Sequence, residues 1–83
     1  MDKSQFEKYK NLGRNIAYYR KLRDYTQLEF SEVLNIDRTH MGNIELARSG
    51  VSLDVLFRIS DVLEVPVPKF FEVRDYRKSK RVI

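Results

Sequence analysis

Eighty-three residues leave room for one domain with a small core, and a chain this short buries a lower fraction of its surface than a larger one. The absence of cysteine excludes a disulfide framework and a thiolate metal site, and a cytoplasmic location is expected. Sixteen lysines and arginines against twelve acids give a formal charge of +4, which favours an anionic partner; no apolar run reaches membrane-spanning length and the opening MDKSQFEKYK lacks a signal-peptide core, so no membrane partner is expected.

The first helix is predicted from near Ser4 to about Arg23. Phe6, Tyr9, Leu12, Ile16 and Tyr19 recur every three or four residues and form one apolar stripe for the core, which Gly13 interrupts without breaking. Asp24 is a residue type that can take a positive φ. Thr26 then stands where its hydroxyl can cap a helix beginning at Gln27, and Glu29 has the spacing of a capping box. Leu28, Phe30, Val33 and Leu34 supply a packed side, and Ser31 is small enough for a neighbouring helix to approach. Asn35 tolerates the left-handed conformation that ends a helix. Asp37 is a second N-cap, and a second short helix is predicted from Arg38 to about Leu46. Two short helices around so brief a turn form a helix-turn-helix.

The helix headed by Arg38 is odd on its outer side. Met41 and Ile44 can face inward, which leaves Arg38, Thr39, Gly42 and Asn43 on other faces. An arginine in the first turn opposes the helix dipole, and an interior glycine costs about 1 kcal/mol relative to alanine. Neither serves stability. Both make sense if this side enters a DNA groove, with arginine aimed at guanine; an ordinary solvated face is the competing account.

Beyond Glu45, Ser49 and Gly50 mark a loop in which Arg48 and Ser49 either hold phosphate or are simply solvated. Ser52 is expected to cap the next helix, with Leu53, Leu56, Ile59, Ser60 and Leu63 inward, and Val65, Pro66 and Pro68 to end it. A last turn covers Pro68 to Phe71. Val55, Phe57, Val62, Val65, Val67, Phe70, Phe71 and Val73 exceed the apolar need of one small core. Either they complete that core or the fourth helix and the segment after it form a dimer face, centred on Val62, Val65, Val67, Phe70 and Phe71. The domain is expected to span residues 1–73, with a basic tail over 74–83 that either touches DNA backbone or stays solvated. There is no internal repeat. His40 is the lone histidine, so no metal constellation is expected. Asp54 and Asp61 share a helical face but read as a solvated one. With no phosphate loop and no nucleophile–base pattern, neither an enzyme, nor a cofactor, nor a small-molecule ligand is expected.

Arg20, Thr26-Gln27, Ser31, Asp37-Arg38-Thr39, Ile44-Glu45, Ser52-Leu53, the L-x-x-I-S run from Leu56 to Ser60 and Phe70-Phe71, taken in that order, resemble the Cro/C1-type (XRE-like) helix-turn-helix regulators of phages and bacteria. The resemblance covers about residues 12–71. It implies an all-α, compact five-helix lambda-repressor-like domain in which Arg20 pairs with Glu45. It implies a homodimer on a palindromic operator, a sequence-specific regulator of transcription binding double-stranded DNA through the major groove. Arg38, Thr39 and Asn43 would read base edges with His40 flanking them; Gln27, with Arg14, Arg48 and Ser49 behind it, would meet phosphate. The size and the D-R-T-H segment are also similar to restriction–modification controller proteins, though a phage repressor or stand-alone regulator fits as well. The rival expectation is a protein-interaction module, such as an antitoxin-like subunit with the same fold.

Overall fold

The apolar stripe near the N-terminus becomes α1 (Phe6–Leu22) in the computed structural model, which describes residues 3–74. A short 3-10 turn, Lys3–Gln5, precedes it. Leu12 and Ile16 are buried and Tyr19 packs against the same core, while Phe6 at the solvent end is 41% exposed. The helix runs out at Arg23, and Asp24 turns the chain with φ 63°.

α2 (Gln27–Leu34) opens with both halves of the capping box made. The Glu29 amide donates to Thr26 Oγ1 at 3.0 Å, and the Thr26 amide donates to Glu29 Oε1 at 2.9 Å. Asn35 closes it in the left-handed region at φ 56°. Eight residues offer only one narrow inward line, and Phe30, Ser31 and Leu34 take it. Leu28 and Val33, expected on the packed side, fall to either side of that line and are each 53% exposed. α3 (Arg38–Glu45) follows after two residues and the Asp37 cap position, whose side chain makes no cap bond.

α4 (Leu53–Leu63) is capped by Ser52, whose hydroxyl accepts from the Val55 amide at 3.1 Å. Its inward line is Val55, Leu56, Ile59 and Leu63. Leu53, expected inward, is 67% exposed because the phase of the helix puts it on the far flank from Val55. The helix ends before either proline. Glu64 adopts φ 56°, the Val65 amide reaches back to the Ser60 carbonyl at 3.1 Å, and Arg23 Nε donates to the Leu63 carbonyl at 2.8 Å. A left-handed cap, not a proline, is therefore the stop.

The fifth element is a 3-10 turn, Val67–Phe71, where a fifth helix was expected; the chain is already extended at Glu72, and five residues are too few for a run of i→i−4 bonds, so the Lys69 and Glu72 amides bond the carbonyls of Pro66 and Lys69 three residues back. Phe70 from this turn and Val65 just before it seal the core at 0% and 7% exposure. This corrects two members of the expected dimer face: Val65 and Phe70 are inside the molecule. Val62 and Val67 are half-buried against the same core, and of the five only Phe71 is mainly exposed. Burial of each large side chain of this kind contributes roughly 1.5–3 kcal/mol.

Asn15 fastens the turn to α1. It is fully buried, and its Nδ2 donates to the carbonyls of Phe70 and Glu72 at 2.8 and 2.7 Å. Residues 75–83, most of the expected basic tail, lie outside the described residues.

Candidate nucleic-acid interface

α3 is held rigidly from behind. Met41, Ile44 and Glu45 are its buried residues, at 0%, 3% and 8% exposure. Glu45 meets Arg20 of α1 through two bonds, Nε to Oε2 at 2.7 Å and Nη2 to Oε1 at 3.1 Å, and the two side chains are only 5–8% exposed. A bidentate arginine–carboxylate pair fixes direction as well as distance. Arg20 Nη1 also donates to the Tyr25 carbonyl at 2.7 Å, so one guanidinium joins α1, the loop before α2 and the end of α3. Gln27 completes the cluster: its Nε2 donates to Glu45 Oε1 at 2.9 Å.

Gly13 explains how closely α1 and α3 meet. A Cβ there would stand 2.6 Å from the carbonyl oxygens of both Ile44 and Glu45. The sequence alone presents Gly13 only as a gap in a stripe. Its real signal is its place one turn before Ala17 and two before Arg20, on the side of α1 turned to α3.

The opposite side of α3 is bare. Arg38 and Thr39 are exposed, and His40, Gly42 and Asn43 are half-exposed. By helical phase Thr39, Gly42 and Asn43 stand at the centre of this face, with Arg38 and His40 on its flanks. Leu46, 58% exposed, falls on the same face. Sequence reasoning takes Leu46 only as the end of the helix, although its i+4 and i+7 relation to Gly42 and Thr39 marks the face. Gly42 has no packing reason to be glycine: the nearest atom to an added Cβ is Gln27 Oε1, at an ordinary 3.7 Å.

The surrounding cations divide into committed and available ones. Arg20 is buried in its pair, Arg23 is bonded to the end of α4, and Arg58 donates to the Leu34 carbonyl at the end of α2 while pairing with Asp54 at 3.1 Å. Arg14, Lys21, Arg38 and Arg48 remain exposed. Arg14 and Lys21 line an open groove on α1 together with Gln27 and Leu46. Acidic Asp54, Asp61 and Glu64 are exposed on α4 and just after it, away from this groove.

Two of the residues assigned to phosphate are less free than their sequence positions imply. Ser49 donates its amide to the Asn43 carbonyl at 3.4 Å, and its hydroxyl is buried with no partner among the described residues. That hydroxyl cannot meet a phosphate where it stands, which corrects the expectation for Ser49. Gln27 has spent one of its two amide hydrogens on Glu45 and keeps one for an outside acceptor. Among the described residues no cluster of three or more metal-ligating side chains occurs, and no helix is long and apolar enough to cross a membrane.

The chemical offer of this surface is a row of short donors and one arginine fork on a convex helix, flanked by cations and lacking an exposed acid at its centre. Donors and an arginine fork of this kind suit base edges and phosphates. Known proteins are similar to this chain in sequence or in fold. Control protein C.SmaI of Serratia marcescens is 29% identical over 58 residues, which are 70% of this chain and 69% of that one. The fold is shared with the restriction–modification controller protein C.AhdI of Aeromonas hydrophila, with a TM-score of 0.75 at 18% identity, over 80% of this chain and 100% of that one. It is shared too with the hypothetical transcription factor NHTF from Neisseria, with a TM-score of 0.74 at 17% identity, over 92% and 85%. The helix-turn-helix profile matches residues 16–70, from the buried Ile16 of α1 to the Phe70 that seals the core, and the chain belongs to the helix-turn-helix family.

Proposed function

We propose that this protein is a sequence-specific regulator of transcription, of the restriction–modification controller type, that binds double-stranded DNA as a homodimer and reads the major groove with the outer side of α3. The observation that carries the reading is Gly42. A helix-interior glycine costs about 1 kcal/mol, and here no neighbouring protein atom requires it. Its neighbours on that face, Arg38, Thr39 and Asn43, are the side chains that pair with base edges: arginine with O6 and N7 of guanine, asparagine with adenine. Gln27 and the exposed Arg14 and Arg48 contact phosphate and set the register.

Dimerisation uses the apolar surface left outside the core. Leu53, Phe71 and Val73 line one groove with Val51 and Tyr9, and Phe57 follows Leu53 by one turn of α4, half-exposed. This replaces Val65 and Phe70 in the expected interface and keeps Phe71.

Selection of bound duplexes from a random pool tests the reading. The expected product is a pair of inverted half-sites about one helical turn apart, bound with an affinity that falls steeply with salt. A pool without a consensus, bound no better than random duplex, overturns it.

A further inference from the structure

From Arg38 to Leu46 the chain carries three large apolar side chains, and it turns only one of them outward. Met41 and Ile44 are buried, whereas Leu46 is 58% exposed. Exposure alone assigns nothing, because single apolar residues are common on protein surfaces. Position is what singles this one out. The Leu46 amide still donates to the Gly42 carbonyl at 3.0 Å, the i→i−4 bond of an α-helix, so the helical phase carries through to this residue. Leu46 therefore stands three residues after Asn43, four after Gly42 and seven after Thr39, in line with the bare face of α3. At Ala47 the backbone turns left-handed, with φ 59°, and Ala47 itself is buried. Leu46 is thus the last residue of that line, and the exposed Arg48 already lies past the turn.

The surroundings of Leu46 indicate what meets it. It lines the open groove that also holds Arg14, Lys21 and Gln27, two cations and an amide suited to phosphate. Leu46 occupies the seam between this flank and the bare face. In the major groove the apolar feature of a base edge is the C5 methyl group of thymine, which stands on the side of its own backbone. Asn43, one turn back on the same face, suits adenine, and an A·T pair presents both groups. We propose that Leu46 is a specificity-determining residue that covers the methyl group of a thymine in each half-site. The inference rests on α3 entering the groove, and it adds a reader that makes no hydrogen bond.

The test uses the full chain and the duplex that selection returns. Each thymine of the half-sites is replaced in turn by deoxyuridine, which lacks only the methyl group, and affinity is measured for the parent and for Leu46→Ala. At one thymine per half-site the parent loses about fourfold for each methyl group removed. Leu46→Ala binds the thymine and uridine forms of that position alike, and penalties at other thymines stay as in the parent. The variant melts with the parent, because Leu46 is exposed, so lost binding is not lost folding. A consensus without thymine, or uridine effects that are the same in parent and variant, overturns the role of Leu46. So does a variant weakened equally on selected and mixed-sequence duplexes, which would place Leu46 against backbone sugars. A parent that selects no consensus overturns the α3 reading, and the role of Leu46 with it.

Discussion

Gly13 and Gly42 sit in the interiors of two helices that pack on each other, and for opposite reasons. At Gly13 a methyl group would enter the carbonyls of Ile44 and Glu45, so the glycine is what lets α1 and α3 approach. At Gly42 a methyl group would meet nothing closer than Gln27 Oε1 at 3.7 Å. The inner edge of α3 is over-determined by contact, ion pair and hydrogen bond, whereas its outer edge is left unspecified by folding. A helix aimed by its back leaves its front free for another molecule, and each change to one edge tests that division.

The largest effect is expected from Glu45→Ala. It leaves the Arg20 guanidinium buried without its carboxylate and also releases Gln27. Removing one partner of such a pair costs about 3–5 kcal/mol, a large share of the roughly 5–15 kcal/mol that holds a domain folded. Urea unfolding should show it, and a loss below about 1 kcal/mol would mean that the inner edge is not fixed by this pair. Gly13→Ala should cost about 1–3 kcal/mol, because two backbone carbonyls rather than a pliable side chain must move. DNA affinity should fall together with stability, since the shift is transmitted to α3.

The two edges are not equally legible from sequence. Thr26, Glu29, Asn35 and Ser52 act within a few residues of themselves, and local chemistry places the boundaries of α2 and the start of α4 from spacing alone. Glu64 is illegible as the end of α4, because nothing local favours a left-handed glutamate next to two prolines; the stop is imposed by Arg23, which reaches the last carbonyl of α4, and by Ser60, whose hydroxyl holds the Val65 carbonyl just beyond it. Phe70 and Val65 are ambiguous because an apolar residue near the end of a chain fits a core and an interface equally. The deciding information is the 55-residue separation between Asn15 and Phe70, which no periodicity encodes. On α3, burial of Met41 and Ile44 follows from helical phase, but that the glycine lacks an internal reason emerges only once Gln27 is seen beside it.

On the outer edge the signs should separate. Arg38→Ala should cost about 1–3 kcal/mol on the selected duplex and relax one base position. The unfolding free energy should stay within about 0.5 kcal/mol of the parent, because Arg38 is exposed. Gly42→Ala should move stability and affinity in opposite directions. The fold gains up to about 1 kcal/mol, since alanine fits and favours the helix, while DNA binding weakens as the methyl group meets the groove floor. Should the variant be more stable and bind as tightly as before, α3 does not approach DNA with this side.

The smallest effect concerns the start of α2, which sets where Gln27 lies. The Thr26 amide, and after it the Thr26 hydroxyl, hold the Glu29 carboxyl below the usual glutamate range. A carboxyl whose folded value is lowered binds protons more readily in the unfolded chain. Its contribution is therefore complete above the unfolded value and is lost as the pH falls through the folded one. Glu29→Gln removes the titration and leaves an uncharged side chain that can still bond the Thr26 amide. The parent should melt at a slightly higher temperature than the variant at neutral pH, and the gap should close on acidification through the carboxylate range. A gap that persists once the parent's carboxyl is protonated would assign it to packing rather than to the charge at the helix N-terminus.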